Sequence, residues 1–91
     1  MGAAPELNEL REKLDAIDNA IFDLFTQRAD LAEQIAAAKQ RDGRAVYDAE
    51  REREKVLDAR AKVPADLQDE GERLMALLME SSRKRQNEIL G

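Results

Sequence analysis

The stretch "LNELREKLDAIDNAIFDLFTQRADLAEQIAAAKQ", residues 7–40, contains a single apolar row at helical spacing, and this row decides the fold. Its members follow one another at alternating steps of three and four residues, the period of a helix face that packs against another helix. This seam consists of Leu7, Leu10, Leu14, Ile17, Ile21, Leu24, Arg28, Leu31, Ile35 and Ala38. Nine of the ten positions are apolar, so the permanent charge of Arg28 stands where packing alone would place a methyl group.

Two further helices are predicted after the first. Pro5 suits a first helical turn, and Gly43 can adopt the left-handed conformation that ends a helix. The carboxylate of Asp48 can cap a second helix, in which Val56 and Leu57 are the expected apolar anchors. No segment alternates at a period of two, so the fold class is all-α, with three helices in a single domain of residues 1–91. The predicted helices cover about residues 6–40, 49–61 and 65–89.

The first helix is too long for a compact chain of this size. A helix from Pro5 to Gln40 spans about 54 Å, whereas a compact domain of this length has a radius of gyration near 12 Å. The seam continues along the whole helix, including the part that must protrude. We therefore predict a homodimer in which the long helices of two copies pair about a two-fold axis.

Composition restricts the chemistry that the chain can perform. Its 91 residues include no Cys and no His, which excludes thiol nucleophiles, histidine bases and the usual zinc sites, and we expect neither metal nor cofactor. The net charge of −5 disfavours nucleic acid and anionic membranes as partners. The sequence has no apolar run of membrane-spanning length and no signal-peptide pattern, so we expect a soluble cytoplasmic protein.

Two cations share one face near the end of the first helix. Arg28 and Lys39 are eleven residues apart, which is three turns plus about 20°, with their Cα atoms about 16 Å apart. Their long side chains leave room for a small anion between them. Each residue also has a structural interpretation, since a seam arginine can set register and a lysine near a helix C-terminus complements the helix dipole.

Further polar residues recur at helical spacing in the other two helices. Asp48, Arg51 and Glu52 lie at the start of the second helix, where free N–H groups favour anionic ligands. Ser82 and Gln86 are four residues apart and interrupt the apolar stripe of the third helix. Each group is also typical of a solvated surface. In combination they predict a polar pocket for a small compound that carries more than one carboxylate.

The stretch "LNELREKLDAIDNAIFDLFTQRADLAEQIAAAKQRDGRAVYDAERE", residues 7–52, resembles the all-helical chorismate mutases. The shared pattern is Leu-Arg, Ile-Asp, a further Leu and Arg, a Lys at the end of the long helix, and an Asp followed by Arg-Glu. It continues to the Ser-x-x-x-Gln of Ser82 and Gln86, so the resemblance covers nearly the whole chain. One departure is Ala49, where the family often has Pro, and both residues fit a first helical turn.

The resemblance implies an isomerase of phenylalanine and tyrosine biosynthesis that converts chorismate to prephenate by a Claisen rearrangement. It implies an intertwined homodimer with two active sites. The first carboxylate of the substrate would be held by Arg28 and the second by Arg11 of the other subunit. The ether oxygen would accept hydrogen bonds from Lys39 and Gln86. The remaining implied contacts are Asp48 and Glu52 at the ring hydroxyl, with Arg51 and Ser82 completing the polar wall.

Helix geometry agrees with a shared site. Arg11 and Arg28 are about 25 Å apart along one helix, too far to hold one molecule about 10 Å across. Antiparallel pairing of two long helices would bring the Arg11 of the other copy to the site. The proposed reaction also needs no nucleophile, base or metal, in keeping with a chain that lacks His and Cys.

Three alternatives remain open at this point. A related helical enzyme could eliminate pyruvate from isochorismate in the same basic pocket. A non-catalytic dimerisation or regulatory module would explain the apolar seam but gives no reason for the charged residues. The 91 residues could also be one domain of a longer protein of aromatic biosynthesis.

Overall fold

The fold is all-α, as predicted from the sequence. A computed structural model describes residues 5–90, and within them three α-helices and one 3-10 turn form and no strand does. Helix α1 covers Pro5–Arg41, α2 covers Ala49–Ala61, and α3 covers Gln68–Leu90 after the 3-10 turn Ala65–Leu67. The predicted domain limits, residues 1 and 91, lie outside the described range. Among the described helices, none combines the length and the apolar character that crossing a membrane requires.

The long first helix gives the chain its elongated shape. Helix α1 has 37 residues, and the chain measures 61 × 28 × 14 Å along its principal axes. Its radius of gyration is 17.4 Å, compared with the roughly 12 Å of a compact domain of this length. Helix α1 therefore extends well beyond α3, which packs against it, and α2, which packs against α3.

The chain reverses sharply after α1 at the predicted glycine. Gly43 has a φ of +67°, the left-handed region that glycine enters without steric cost. The N–H of Arg44 then donates to the carbonyl of Lys39 at 2.8 Å, which pairs a carbonyl left free at the helix end. This turn brings the connecting segment, residues 42–48, back alongside the last turn of α1.

Two local features fix the start of α2 and its packing against α3. Asp48 has extended backbone angles, and its Oδ1 accepts a hydrogen bond from the N–H of Arg51 at 3.0 Å, as a helix cap does. Gly71 allows α3 to approach the end of α2, because a Cβ there would lie 3.2 Å from Cγ2 of Val63. The prediction that Leu57 anchors α2 is wrong, because its side chain is 63% exposed. The buried residue of α2 is Ala59.

The seam is left uncovered within the single chain. Helix α3 packs against a neighbouring face of α1, where Ala32 and Ala36 are buried, and it contributes Met79 to this small core. Ten large apolar residues of α1 remain between 39% and 67% exposed. They are Leu7, Leu10, Leu14, Ile17, Ile21, Phe22, Leu24, Phe25, Leu31 and Ile35.

The total exposed surface is too large for a compact monomer. The chain exposes 7285 Å², whereas a folded monomer of the same mass exposes about 5,400 Å². None of its large side chains is fully buried among the described residues. The excess of about 1,900 Å² is of the size that one subunit buries in an obligate dimer.

Candidate active site

A cavity of about 260 Å³ lies between the C-terminal part of α1, the connecting segment 42–48, α2 and α3. Six cationic and two acidic side chains line it, a local excess of four positive charges in a chain whose net charge is −5. The charged lining residues are Arg28, Lys39, Arg44, Arg51, Lys55, Arg83, Asp48 and Glu52. The uncharged ones are Ile35, Ala45, Val46, Met79, Ser82 and Gln86.

Seven of the eight site residues predicted from the sequence line this cavity. The eighth, Arg11, does not, because it lies 17 residues before Arg28 on the same helix, about 25 Å away. Its side chain is exposed on the protruding part of α1. Within one chain, therefore, the cavity lacks the second predicted arginine.

Arg28 lies half-buried between α1 and α3. Its Nη1 donates to the carbonyl oxygen of Leu78 at 2.8 Å, and no carboxylate of residues 5–90 lies within ion-pair distance of it. The side chain also borders an apolar cavity of about 330 Å³ whose lining includes Leu24 and Leu74. Because a guanidinium has five N–H donors, most of its donors are free to bind an anion.

Lys39 connects α1 to the segment that follows it. Its Nζ donates to the carbonyl oxygen of Val46 at 2.6 Å, across the turn at Gly43. An ammonium group has three N–H donors, so two of them remain for a ligand. The bond also holds Val46 at the edge of the cavity, where it contributes apolar wall.

Gln86 is the most deeply buried of the predicted site residues, with 4% of its surface exposed. Its Nε2 donates to Oγ of Ser82 at 3.1 Å, one turn earlier on α3, while its buried Oε1 has no partner within residues 5–90. The second N–H of the amide is free as well. A buried amide with unpaired groups beside a cavity is suited to a polar ligand, since leaving such groups unpaired costs free energy.

The acidic residues of the cavity have different surroundings. Asp48 is occupied as the cap of α2, through its bond to the N–H of Arg51. Glu52, one turn further on, forms an ion pair with Arg83 of α3. The hydrogen bond from Arg83 to Glu52 within this ion pair is the main reason why the pKa of the Arg83 guanidinium is raised above its ordinary value.

Three cations of the cavity are not among the residues predicted from the sequence, namely Arg44, Lys55 and Arg83. The spacing did contain a signal for Arg83. It lies four residues after the buried Met79 and three before Gln86, the i, i+3, i+4 relation of neighbours on one helix face. Lys55 likewise follows Arg51 by four residues on α2.

The arrangement can bind a small polyanion but offers no histidine or cysteine for acid–base or nucleophilic chemistry. Concentrated cations in a partly closed cavity attract carboxylates, and guanidinium groups bind them through paired hydrogen bonds. Apolar wall from Ile35, Val46 and Met79 suits a carbon skeleton between the charged groups. The site therefore favours a small compound that carries more than one carboxylate.

Comparison with known proteins agrees with this chemistry. A chorismate mutase of Methanocaldococcus jannaschii is 42% identical over 48 residues, which are 53% of this chain and 48% of that protein. A T-protein of Enterobacter agglomerans is 34% identical over 67 residues, which are 68% of this chain and 18% of that protein. The matches thus span about half the length of the chorismate mutase and about a fifth of the length of the T-protein. No solved structure matches significantly.

The profile of a protein family covers more of the chain than these pairwise matches do. The family described as chorismate mutase type II matches residues 10–87, a range that includes all of α2, most of α1 and α3, and all eight predicted site residues. The all-helical architecture and the basic cavity are both in keeping with this match. The chain belongs to the chorismate mutase type II family.

Proposed function

We propose that the chain catalyses the rearrangement of chorismate to prephenate. The observation that carries this proposal is the convergence of seven predicted site residues on one cavity with an excess of four positive charges. Chorismate is a small dicarboxylate with a ring, an ether oxygen and a ring hydroxyl. The cavity offers cations, amide and ammonium donors, a carboxylate and apolar wall for these groups.

Each polar group of the substrate has a proposed partner. Arg28 binds one carboxylate through the donors that Leu78 leaves free. Lys39 and Gln86 donate to the ether oxygen with their unused N–H groups. Glu52 accepts a hydrogen bond from the ring hydroxyl.

Three more residues complete this polar surface. Asp48 contributes to the same side as Glu52, while Arg51 and Ser82 line the wall around the ligand.

Catalysis in this proposal is a matter of conformation and electrostatics. The C–O bond of the ether breaks while a new C–C bond forms within the same molecule, so no proton or group passes to the protein. Clamping both carboxylates holds the substrate in the compact conformer in which the bond-forming carbons meet. Donors on the ether oxygen stabilise the negative charge that develops there as the C–O bond lengthens.

The second carboxylate requires a second copy of the chain. The single chain leaves ten large apolar residues of α1 exposed and exceeds the surface of a compact monomer by about 1,900 Å². Antiparallel pairing of two α1 helices covers the seam and carries Arg11 of each copy to the cavity of the other. We include this intertwined homodimer in the proposal, together with a cytoplasmic location, which the absence of cysteine suits.

The dimer is tested by mass and by complementation. Sedimentation equilibrium at micromolar concentration should give twice the chain mass of 10.3 kDa. Arg11→Ala and Arg28→Ala should each be inactive, but a mixture of the two should regain activity. In a mixed dimer one site carries both substitutions and the other carries neither. An active monomer, or a mixture as inactive as its components, would contradict shared sites.

The reaction itself is tested with two substrates offered separately. Addition of purified protein to chorismate should remove the ultraviolet absorbance of its conjugated ring, while isochorismate should remain unchanged. Consumption of isochorismate with release of pyruvate would instead support a lyase. Failure to bind either chorismate or prephenate would favour a non-catalytic dimerisation module.

A further inference from the structure

Arg83 lines the cavity and forms an ion pair with Glu52, the carboxylate that is proposed to contact the ligand. It extends from α3, and its Nη1 donates to Oε1 of Glu52 on α2. The side chains of Arg83 and Glu52 are 32% and 20% exposed, so solvent screens this ion pair only partly. Each residue contributes to the cavity lining, which places the ion pair in the wall of the site.

A second side chain, that of Tyr47, also holds Arg83. The guanidinium carbon lies 5.5 Å from the centre of the Tyr47 ring, a distance at which a cation is attracted to an aromatic face. Tyr47 and Arg83 also line a second, more open cavity of about 350 Å³, which shares Glu52 and Met79 with the first. Arg83 thus lines both cavities, with Glu52 hydrogen-bonded to its guanidinium and the Tyr47 ring within cation–π distance of it.

We propose that Arg83 is a positioning residue that holds the Glu52 carboxylate in the orientation needed to accept the hydrogen bond of the substrate's ring hydroxyl. This inference rests on the proposed function, because it assigns a task to the residue that contacts Glu52. A glutamate side chain has three rotatable bonds, and a bound guanidinium restricts them before the substrate arrives. Arg83 also compensates the charge of Glu52, which otherwise faces the carboxylates of the ligand.

Direct binding of a substrate carboxylate by Arg83 is the competing role, and the geometry disfavours it. The guanidinium is engaged by Glu52 and by the face of Tyr47. Arg28, by contrast, has no carboxylate partner within residues 5–90 and is therefore free to bind one. A ligand carboxylate that took the place of Glu52 on the guanidinium would break this ion pair and leave Glu52 unpaired in the wall of the cavity.

A double-mutant cycle separates the two roles. Arg83→Met is expected to lower kcat/KM by about tenfold in the wild-type background, an ordinary effect for a group that orients a ligand-binding residue. In a Glu52→Ala background the same substitution should change kcat/KM by less than about twofold, because its only route of action is gone. An equal loss in both backgrounds, or no loss in the wild type, would overturn the proposal.

The chain offers a matched control for the loss of an interhelical ion pair. Arg85, two residues later on α3, pairs with Glu33 of α1 but does not line the cavity. Arg85→Met should leave kcat/KM within about twofold of the wild type, while its urea midpoint falls about as much as that of Arg83→Met. Equal kinetic losses in the two variants would reduce Arg83 to a structural role and contradict the proposal.

Two further measurements keep the test decisive. Arg83→Lys keeps the charge with fewer donors, so it should retain more activity than Arg83→Met, and it replaces that variant in the cycle if Arg83→Met does not fold. If the wild-type protein binds chorismate without converting it, the proposed function fails. The same cycle is then read in the Kd for chorismate by calorimetry, where coupling between positions 83 and 52 supports the positioning role and additivity overturns it.

Discussion

Replacing Lys39 with alanine is expected to lower kcat by a factor of about 10² to 10³. This is the usual cost of removing a donor aimed at charge that develops in the transition state, about 2.7 to 4 kcal/mol. Gln86→Ala should lower kcat less, because a neutral amide stabilises an oxyanion less than an ammonium group does. Steady-state kinetics with chorismate measures both effects.

The structural role of Lys39 needs its own control. Its bond to the Val46 carbonyl means that Lys39→Ala can also loosen the connecting segment. Urea unfolding of the dimer should therefore be compared for the variant and the wild type, since a small change in midpoint cannot explain a large loss of kcat. Lys84→Ala, an exposed position of α3 outside the cavity, should leave kcat unchanged. Wild-type kcat in both Lys39→Ala and Gln86→Ala would show that their assigned roles are wrong.

Replacing Arg28 with leucine is expected to separate activity from stability. The value of kcat/KM should fall on the order of 10² to 10³, because a substrate carboxylate would lose a charge-assisted contact and face an apolar side chain. The free energy of unfolding should stay within about 1 kcal/mol of the wild-type value or rise. Leucine restores the apolar register of the seam and borders the apolar cavity near Leu24 and Leu74.

The contacts of Arg28 explain why its loss should be tolerated. Its partner within residues 5–90 is the backbone carbonyl of Leu78 in α3, which also accepts the N–H of the following helical turn. Removing Arg28 therefore leaves no buried charge unpaired. Losing one partner of a buried structural ion pair would instead cost about 3 to 5 kcal/mol. Urea unfolding at fixed dimer concentration measures this difference. Arg41→Leu, at the exposed end of the same helix, is the control and should keep full activity.

The overall fold could be predicted from the sequence because its determinants are local. A row of apolar residues at steps of three and four specifies a helix, and Gly43 and Asp48 supply the terminating and capping chemistry. Which face of α1 packs within the chain was not predictable in this way. Helix α3 covers Ala32 and Ala36, since small residues let two helices approach, and the larger seam residues stay exposed.

The residues predicted from the family pattern include seven that line the cavity, whereas Arg83 was not among those predicted. Three of the four residues 83–86 are basic, and the spacing of Arg83 from Met79 and Gln86 is only a weak indication that Arg83 is the one that turns inward. Packing of α3 against both other helices decides it. Arg83 pairs with Glu52 of α2 in the wall of the cavity, whereas Arg85 pairs with Glu33 of α1.

The most direct test of the proposed activity is identification of the product made from chorismate by the purified protein. Proton nuclear magnetic resonance should show prephenate appearing in equal molar amount to the chorismate consumed, at a rate well above that of the uncatalysed reaction. The doubly substituted Arg28→Leu, Lys39→Ala protein should bring the rate down to the uncatalysed level. Chorismate that disappears no faster with the wild-type protein than without it, or that yields pyruvate instead of prephenate, would contradict the proposed function.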